Sequence, residues 1–382
     1  MSQVQAVNEN NFQLKAFYMF PLVNSAQTNS RQLASHLVDR QKFWRFVAKT
    51  SQTLEFVFAY LPRNYTALGC LRLRSRFESK LSTSVEQCRL QKFGALFMST
   101  TPPVDPDAPK KPPTDKTDLQ TKEVALSCSG CGFLGTYHFG VMIAFQKNGK
   151  DLLSRVTRFA GASAGSLIAT LMVLAPDKLE DGLNQMYEMA DELHALRLGA
   201  LTPGYFLSER LFSVVNRHLP DDVSEANNRL FISLTRQKDK TNRIVSKFSS
   251  REYLALCLNA SCFIPIYSSG YYAIPPVIDQ EPCIDGGYTN NLPVFDDMQT
   301  ITISPFSGSA IIAPQDENRF EWQLTLGTQI MKINMQNLTR GAHSLFPPTR
   351  TVLKAYYEMG FRDGLKFLMD NDLLEREEGT EV

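Results

Sequence analysis

A serine flanked by small residues stands between a predicted strand and a predicted helix. The segment Gly161-Ala162-Ser163-Ala164-Gly165 fits the pattern G-x-S-x-G, which places a serine on a sharp strand-to-helix turn. Its four neighbours carry no bulky side chain, as so sharp a turn requires. The helix that follows directs the positive end of its dipole at the serine, which favours a developing alkoxide. The motif predicts a nucleophilic Ser163, although a tight junction without chemistry can give the same pattern.

A glycine-rich loop lies upstream, at another predicted strand–helix junction. Its sequence GCGFLG fits G-x-G-x-x-G, and backbone N–H groups at a helix N-terminus can hold a phosphate or a developing oxyanion. The pattern also fits a dinucleotide fingerprint, with Asp151 as the ribose-binding acid. However, Asp151 stands in a turn before the next strand, whereas the fingerprint needs an acid at the end of that strand. The loop consists of Gly130, Cys131, Gly132, Phe133, Leu134 and Gly135.

An acidic residue that could serve as a base follows much later in the chain. Asp285-Gly286-Gly287 is by itself an ordinary turn signal, but a nucleophilic serine upstream makes Asp285 a candidate general base. Ser163, Asp285 and His343 also occur in the chain order of an α/β-hydrolase triad. His343 lies near a predicted helix end, which favours a structural role. The lone pair Cys128-x-x-Cys131 lacks partners for a zinc site and indicates packing beside the loop.

The elements that must position these residues alternate between strands and helices. Residues 123–130 and 155–161 are short apolar strands, and each precedes an apolar segment with helical spacing. This alternation predicts an α/β sandwich with a largely parallel sheet. Further strands are predicted over residues 229–236, 242–249 and 300–306, and further helices over Leu179–Leu198, 250–261, Trp322–Leu345 and Thr349–Leu374.

Composition excludes several classes of protein. Apolar residues make up 43% and charged residues 21% of the 382 residues, which excludes collagen, wholesale disorder and coiled coil. We find no run of about 18 apolar residues, so no membrane-spanning helix is expected. Seven scattered cysteines without a secretory signal favour a reducing compartment over a disulfide framework.

Charge and proline content divide the chain. Residues 1–100 hold 13 Lys and Arg against 5 Asp and Glu, and residues 101–113 hold six of the 20 prolines. A basic front can contact anionic lipid or nucleic acid, or can simply be a solvated surface. We expect a basic N-terminal extension, either a small α+β module or partly disordered, then a linker and two folded parts. Their bounds are 1–100 for the extension, 101–122 for the linker, 123–310 for the catalytic domain and 311–382 for a helical extension.

Three blocks in this order resemble the patatin-like phospholipase family: SCSGCGFLGTYHFGV, RFAGASAGSLIA and PCIDGGYTNNLP. Within the family the chain is most similar to the adipose triglyceride lipase and adiponutrin group, which carries GCGFLG where plant patatins have an arginine-containing loop. RLFISLTR, ASCFIPIY, TITISPFSG and LFPPTRTVLKAYYEMGFRDGLKFL also resemble this group. The resemblance covers residues 123–374 and implies a three-layer α/β/α sandwich with a mainly parallel central sheet, preceded by an extension of uncertain structure.

The resemblance implies a Ser-Asp dyad without a catalytic histidine. Ser163 is then the nucleophile, Asp285 its base, and the six residues of the glycine loop form the oxyanion hole. An aspartate with an ordinary pKa of about 3.9 is a weak base, so we expect an apolar cleft to raise the pKa of Asp285. The triad with His343 remains the alternative, and the aromatic stretch Tyr267–Pro276 either lines the cleft or is an ordinary loop.

The resemblance further implies a calcium-independent serine acyl hydrolase that acts on lipid esters, with triacylglycerol as the favoured substrate, in lipid catabolism and homeostasis. Phospholipase A2 or transacylase activity, a catalytically weak lipid-binding regulator and a nucleotide-binding oxidoreductase are the alternatives. We expect no cofactor, metal or nucleic acid. Expected partners are lipid at a droplet or membrane surface and a protein coactivator. The expected location is cytoplasmic and peripheral to lipid, with the basic front segment as a candidate anchor.

Overall fold

The computed structural model describes residues 116–270, 273–316, 323–326 and 328–375. The predicted N-terminal extension and residues 101–115 of the predicted linker lie outside the described residues. The strands are β1 (Val124–Cys128), β2 (Val156–Ala162), β3 (Leu230–Arg236), β4 (Asn242–Val245), β5 (Val277–Ile278), β6 (Glu281–Asp285), β7 (Thr300–Ile303), β8 (Gln323–Leu326) and β9 (Gln329–Lys332). The helices are α1 (Lys116–Thr121), α2 (Gly135–Asn148), α3 (Lys150–Ser154), α4 (Ala164–Leu174), α5 (Leu179–Ala195), α6 (Leu207–His218), α7 (Arg251–Ser261), α8 (Met335–Leu345) and α9 (Arg350–Asp370).

A mainly parallel sheet forms the centre of the described part. β1 pairs in parallel with β2 on one side and with β7 on the other, and β2 pairs in parallel with β3. Every residue of β1 and β7 is buried, so both faces of the sheet are covered. The crossover from β1 to β2 runs through α2 and α3, and the crossover from β2 to β3 runs through α4, α5 and α6. This architecture confirms the predicted α/β sandwich.

β3 brings the ends of two other strands together. On one edge it pairs with β4, through residues 232–235. On the opposite edge it pairs first with β2, up to Ser233↔Ala162, and then with β6, beginning at Leu234↔Asp285. β2 runs parallel to β3 and β6 runs antiparallel, so the two strands meet with their C-terminal ends facing. The fold therefore places Asp285 next to the turn that follows Ala162.

The C-terminal part departs from the predicted helices. The helix predicted over Trp322–Leu345 is wrong in its first half, where β8 and β9 pair as an antiparallel hairpin, and helix begins only at Met335. Burial in β9 alternates with a period of two, which is the signal for a strand. Met331 packs with the apolar residues of the glycine loop, so tertiary contacts favour the hairpin. The helix α6 has no counterpart among the predicted elements, whereas α9 lies within the predicted range.

Candidate active site

Ser163 stands at the turn between β2 and α4 in a strained backbone conformation. Its φ of 50° and ψ of −129° lie outside the regions that residues with a side chain usually adopt. Two other serines form hydrogen bonds with the backbone of this turn. The Ser163 N–H donates to Ser261 Oγ over 2.9 Å, and the Ser166 hydroxyl donates to the Ser163 carbonyl over 2.7 Å. Ser163, a partly exposed residue, is thus held on a sharp turn, as a nucleophile elbow requires.

The small residues around Ser163 let the elbow pack tightly against the sheet. A Cβ on Gly165 would lie 2.1 Å from the carbonyl oxygen of Cys128, at the end of β1. A Cβ on Gly161 would lie 2.4 Å from the carbonyl carbon of Gly165. The neighbouring alanines of the motif are both buried, Ala162 at 0% exposure and Ala164 at 5%. The G-x-S-x-G spacing therefore reflects close backbone contact as well as the turn itself.

Asp285 is buried and lies beside Ser163. Its Oδ1 accepts a hydrogen bond from the Gly287 N–H over 2.7 Å. Burial raises the pKa of Asp285 to about 6, although the Gly287 N–H and the nearby Ser163 side chain act in the opposite direction. Its backbone is held as well, because the Thr235 hydroxyl donates to its carbonyl over 2.8 Å. A carboxylate with this pKa is a stronger base than an ordinary aspartate.

The glycine loop lies directly over Ser163. A Cβ on Gly130 would lie 3.2 Å from Ser163 Cβ. Gly132 adopts a φ of 53°, within the left-handed region that glycine tolerates. A Cβ on Gly132 would also lie 2.1 Å from the carbonyl oxygen of Ser344, so the end of α8 closes this side of the loop.

Only part of the loop has N–H groups that can face a ligand. The N–H groups of Gly130, Leu134 and Gly135 donate to the carbonyl oxygens of Asn291, Cys131 and Gly132 respectively. Among the described residues, no carbonyl accepts from the N–H groups of the other three, Cys131, Gly132 and Phe133. The N–H of Ala164 adds a fourth donor, because the first residues of a helix have no intrahelical acceptor. These four groups are the candidate oxyanion donors.

Neither His343 nor His138 bonds to Ser163 or Asp285. His343 Nδ1 lies 3.1 Å from the Tyr356 hydroxyl, the two rings pack edge to face, and burial lowers the pKa of His343. His138 is fully buried, with Nε2 2.9 Å from the Ser129 carbonyl oxygen, and burial lowers its pKa to about 4. His343 therefore has the partner of a structural residue, which disfavours the triad alternative.

Two residues beside Ser163 carried no signal in the sequence. Ser261, 0% exposed, accepts from the Ser163 N–H and donates to the Ser233 carbonyl over 2.8 Å. Cys262, the next residue, also lies near Ser163. Burial and, less strongly, the charge of Asp285 raise the pKa of its thiol, whereas the nearby Ser163 side chain lowers it. Ser261 is the last residue of α7 and Cys262 follows it, and only the packing of that helix against β3 brings them to the site.

The features expected of a dinucleotide site are separated in the structure. Asp151 lies in α3, before β2 begins, and pairs with Arg155 over 2.9 Å at the surface. The glycine loop lies at the other end of the sheet, beyond the C-terminus of β1.

Cys128 and Cys131 are free and buried, as predicted for packing residues. None of the described helices combines the length and apolar character needed to cross a bilayer.

Comparison with known proteins finds relatives that match the part of the chain from β1 onward. The patatin-like phospholipase family model matches residues 126–298. Human patatin-like phospholipase domain-containing protein 4 is 41% identical over 255 residues, which cover 66% of this chain and 100% of that protein. Mouse patatin-like phospholipase domain-containing protein 2 is 40% identical over 250 residues, which cover 65% of this chain and 51% of that protein. The mouse 1-acylglycerol-3-phosphate O-acyltransferase Pnpla3 is 34% identical over 253 residues, which cover 65% of this chain and 60% of that protein.

The fold and these similarities define an α/β protein of the class that contains lipid hydrolases and acyltransferases. More specifically, the chain belongs to the patatin-like phospholipase family. The chain spans the full length of human patatin-like phospholipase domain-containing protein 4. It spans about half the length of mouse patatin-like phospholipase domain-containing protein 2.

Proposed function

We propose that this chain is a serine acyl hydrolase in which Ser163 attacks an acyl ester and Asp285 accepts the serine proton. The observation that carries the proposal is the proximity of Asp285 to Ser163: Asp285 and Ala162, the residue before Ser163, pair with consecutive residues of β3. Burial raises the pKa of the Asp285 carboxyl to about 6, which makes it a stronger base than an ordinary aspartate. The strained turn at Ser163 supports the same assignment, because such strain commonly marks a reactive site.

The reaction proceeds in two acyl-transfer steps. Attack forms the bond between Ser163 Oγ and the ester carbon while the hydroxyl proton passes to Asp285. The carbonyl oxygen becomes an oxyanion that the free loop N–H groups and the Ala164 N–H stabilise, about 3–4 kcal/mol for each well-placed donor. Protonated Asp285 then protonates the leaving alkoxide, which leaves an acyl-enzyme. Water attacks the acyl-enzyme with Asp285 again as base, which releases the fatty acid and restores Ser163.

An exposed apolar rim, defined as Leu201, Phe206 and Ile266, supports a lipid surface as the place of action. These side chains are 41%, 42% and 53% exposed. Large exposed apolar side chains insert readily into lipid.

Two rim residues lie on segments that are linked to each other near the catalytic turn. The loop that carries Ile266 follows Ser261, whose Oγ accepts from the Ser163 N–H. That loop joins the segment of Phe206 through a 2.9 Å bond from the Ser208 N–H to the Ser268 carbonyl. We therefore propose that the chain attaches peripherally to the cytoplasmic surface of a lipid droplet or membrane, with a protein coactivator as a further partner.

We propose triacylglycerol as the preferred substrate, with residues 123–310 as the catalytic domain. The resemblance of the motif blocks to the triglyceride lipase group supports this choice. Transacylation is the second candidate, because a lipid alcohol can take the place of water in the second step. The similarity to a mouse protein named as an acyltransferase favours transacylation as that second activity.

A product assay separates these activities. Wild-type chain and the Ser163→Ala variant are incubated with triolein emulsion or phosphatidylcholine vesicles, with and without added monoacylglycerol as acyl acceptor. We expect the wild type to release fatty acid fastest from triolein and Ser163→Ala to release none. Newly acylated acceptor without free fatty acid would assign the chain as a transacylase. Equal turnover by both proteins would contradict the role of Ser163.

A further inference from the structure

Asn291 contacts the glycine loop, although neither acyl-transfer step uses it. Its side chain is almost fully buried, at 2% exposure. Its Nδ2 donates to the Gly130 carbonyl over 3.3 Å and to Gln329 Oε1 over 2.7 Å. Its own backbone carbonyl accepts from the Gly130 N–H over 3.2 Å. Gly130 is therefore bonded to Asn291 through both its N–H and its carbonyl.

The same side chain also touches the turn that holds the base. A Cβ on Gly130 would lie 2.6 Å from Asn291 Oδ1, and a Cβ on Gly287 would lie 2.8 Å from the same atom. Gly287 is the residue whose N–H donates to Asp285 Oδ1, and Gly130 is the residue packed over Ser163. One carboxamide thus sets the separation between the glycine loop and the Asp285 turn.

A buried relay fixes the orientation of Asn291. Gln329 is 0% exposed, and its Nε2 donates to Ser304 Oγ over 2.5 Å while its Oε1 accepts from Asn291. Ser304, also 0% exposed, accepts from the Phe306 N–H over 3.1 Å. Rotation of the Asn291 amide would leave a buried donor or acceptor unpaired, which costs about 1–3 kcal/mol.

We propose that Asn291, held by Gln329 and Ser304, is a positioning residue for acyl transfer. It neither touches the ester nor carries a proton. It keeps the glycine loop in register with Ser163 and with the turn of Asp285, so that the oxyanion donors and the base act on the same carbonyl group. This inference rests on the proposed function. Small displacements of such donors lower kcat more than KM, because the donors act mainly in the transition state.

A structural role alone predicts a different kinetic result. If Asn291 only stabilised the fold, its loss would reduce the fraction of folded chain, and each folded molecule would keep its wild-type rate. Active-site titration with a fluorophosphonate separates the two cases, because it counts the chains that carry a reactive serine. The rate per titrated site then reports positioning alone.

The experiment uses the full chain and a soluble p-nitrophenyl butyrate substrate. For Asn291→Ala we expect kcat per titrated site to fall about 10- to 100-fold with KM within about twofold of wild type, and fluorophosphonate labelling to be slower but to reach the same end point. The matched control is Asn290→Ala, because the neighbouring amide bonds to Asn242 and Thr328 instead of the loop. Unchanged kcat per site in Asn291→Ala, or an equal loss in the control, would overturn the proposal.

A second variant covers the case in which Asn291→Ala does not fold. Gln329→Met keeps the volume of the side chain but removes both bonds of the relay, and we expect kcat per site to fall about 3- to 10-fold. A wild-type rate in this variant would overturn the proposal. Wild-type chain without turnover or labelling would refute the proposed function itself, whereas an active wild type with unaffected variants would refute only the role of Asn291.

Discussion

Asp285 lies beside Ser163, and burial raises the pKa of its carboxyl to about 6. The register of one strand explains this proximity. Ser233 of β3 pairs with Ala162, and the next residue, Leu234, pairs with Asp285. Ala162 and Asp285 therefore occupy consecutive positions along one edge of β3, and Ser163 directly follows Ala162, although more than a hundred residues separate Ser163 from Asp285 in the chain.

The pH dependence of hydrolysis reports the base directly. Because Asp285 must be deprotonated to accept the serine proton and its pKa is about 6, kcat/KM should fall tenfold per pH unit below about pH 6. The measurement is a pH profile on a soluble p-nitrophenyl ester between pH 4 and pH 9. An acid limb centred near pH 4, the range of an ordinary aspartate, would contradict the desolvated base.

The same burial should cost stability at neutral pH. The pKa of Asp285 is about 6 in the folded chain, compared with 3.8 for an ordinary aspartate. Its contribution to the free energy of unfolding is therefore most favourable below pH 4 and is lost as the pH rises through 6. This loss amounts to roughly 3 kcal/mol at pH 8. We expect Asp285→Asn to melt at a higher temperature than wild type at pH 8 and at a similar temperature at pH 4. A pH-independent difference in melting temperature would refute this expectation.

The choice between dyad and triad can be tested by substitution. His343 bonds to Tyr356 and not to Asp285, so His343→Ala should retain turnover within about threefold, with a modest loss of stability. Ser163→Ala and Asp285→Asn should lower kcat by about 10⁴-fold or more. The measurement is kcat on a soluble ester with folding checked by circular dichroism. Loss of turnover in folded His343→Ala would restore the triad.

The apolar rim should matter only at a lipid surface. Replacing Phe206 by Ser removes apolar area worth about 1.5–3 kcal/mol, so the ratio of the triolein-emulsion rate to the soluble-ester rate should fall about tenfold. Ile266→Asn should act similarly, and it also relieves a β-branched residue at a φ of 71°. Met369→Ser is the control, because Met369 is 61% exposed at the end of α9, outside the rim. An equal fall in the control would argue against the rim.

Local signals in the sequence predict the elements nearest the site. G-x-S-x-G and the strands and helices around it depend on short-range spacing, and the structure places Ser163 between β2 and α4 as expected. The hairpin of β8 and β9 escapes prediction because two four-residue strands carry too little periodicity to outweigh a helical interpretation of the longer segment. Its buried Met331 shows that distant contacts decide the outcome.

The contacts that hold the site together cannot be predicted from spacing. Ser261 lies 98 residues from Ser163, and Asn291 lies 161 residues from Gly130, so their roles depend on which segments the fold brings together. The sequence motif predicts six equivalent donors in the glycine loop. Its single 3₁₀ turn, Gly132–Leu134, uses some of these N–H groups internally, and that turn is visible only in the structure.

The most direct test of Ser163 as the nucleophile is the site of covalent labelling by a fluorophosphonate. The probe reacts only with an activated serine, and mass spectrometry of the digested adduct identifies the modified residue. We predict one adduct, on Ser163, with labelling that is absent in Ser163→Ala and strongly slowed in Asp285→Asn. Folded wild-type chain that stays unlabelled, or an adduct on any other serine, would contradict the assignment of Ser163 as the nucleophile.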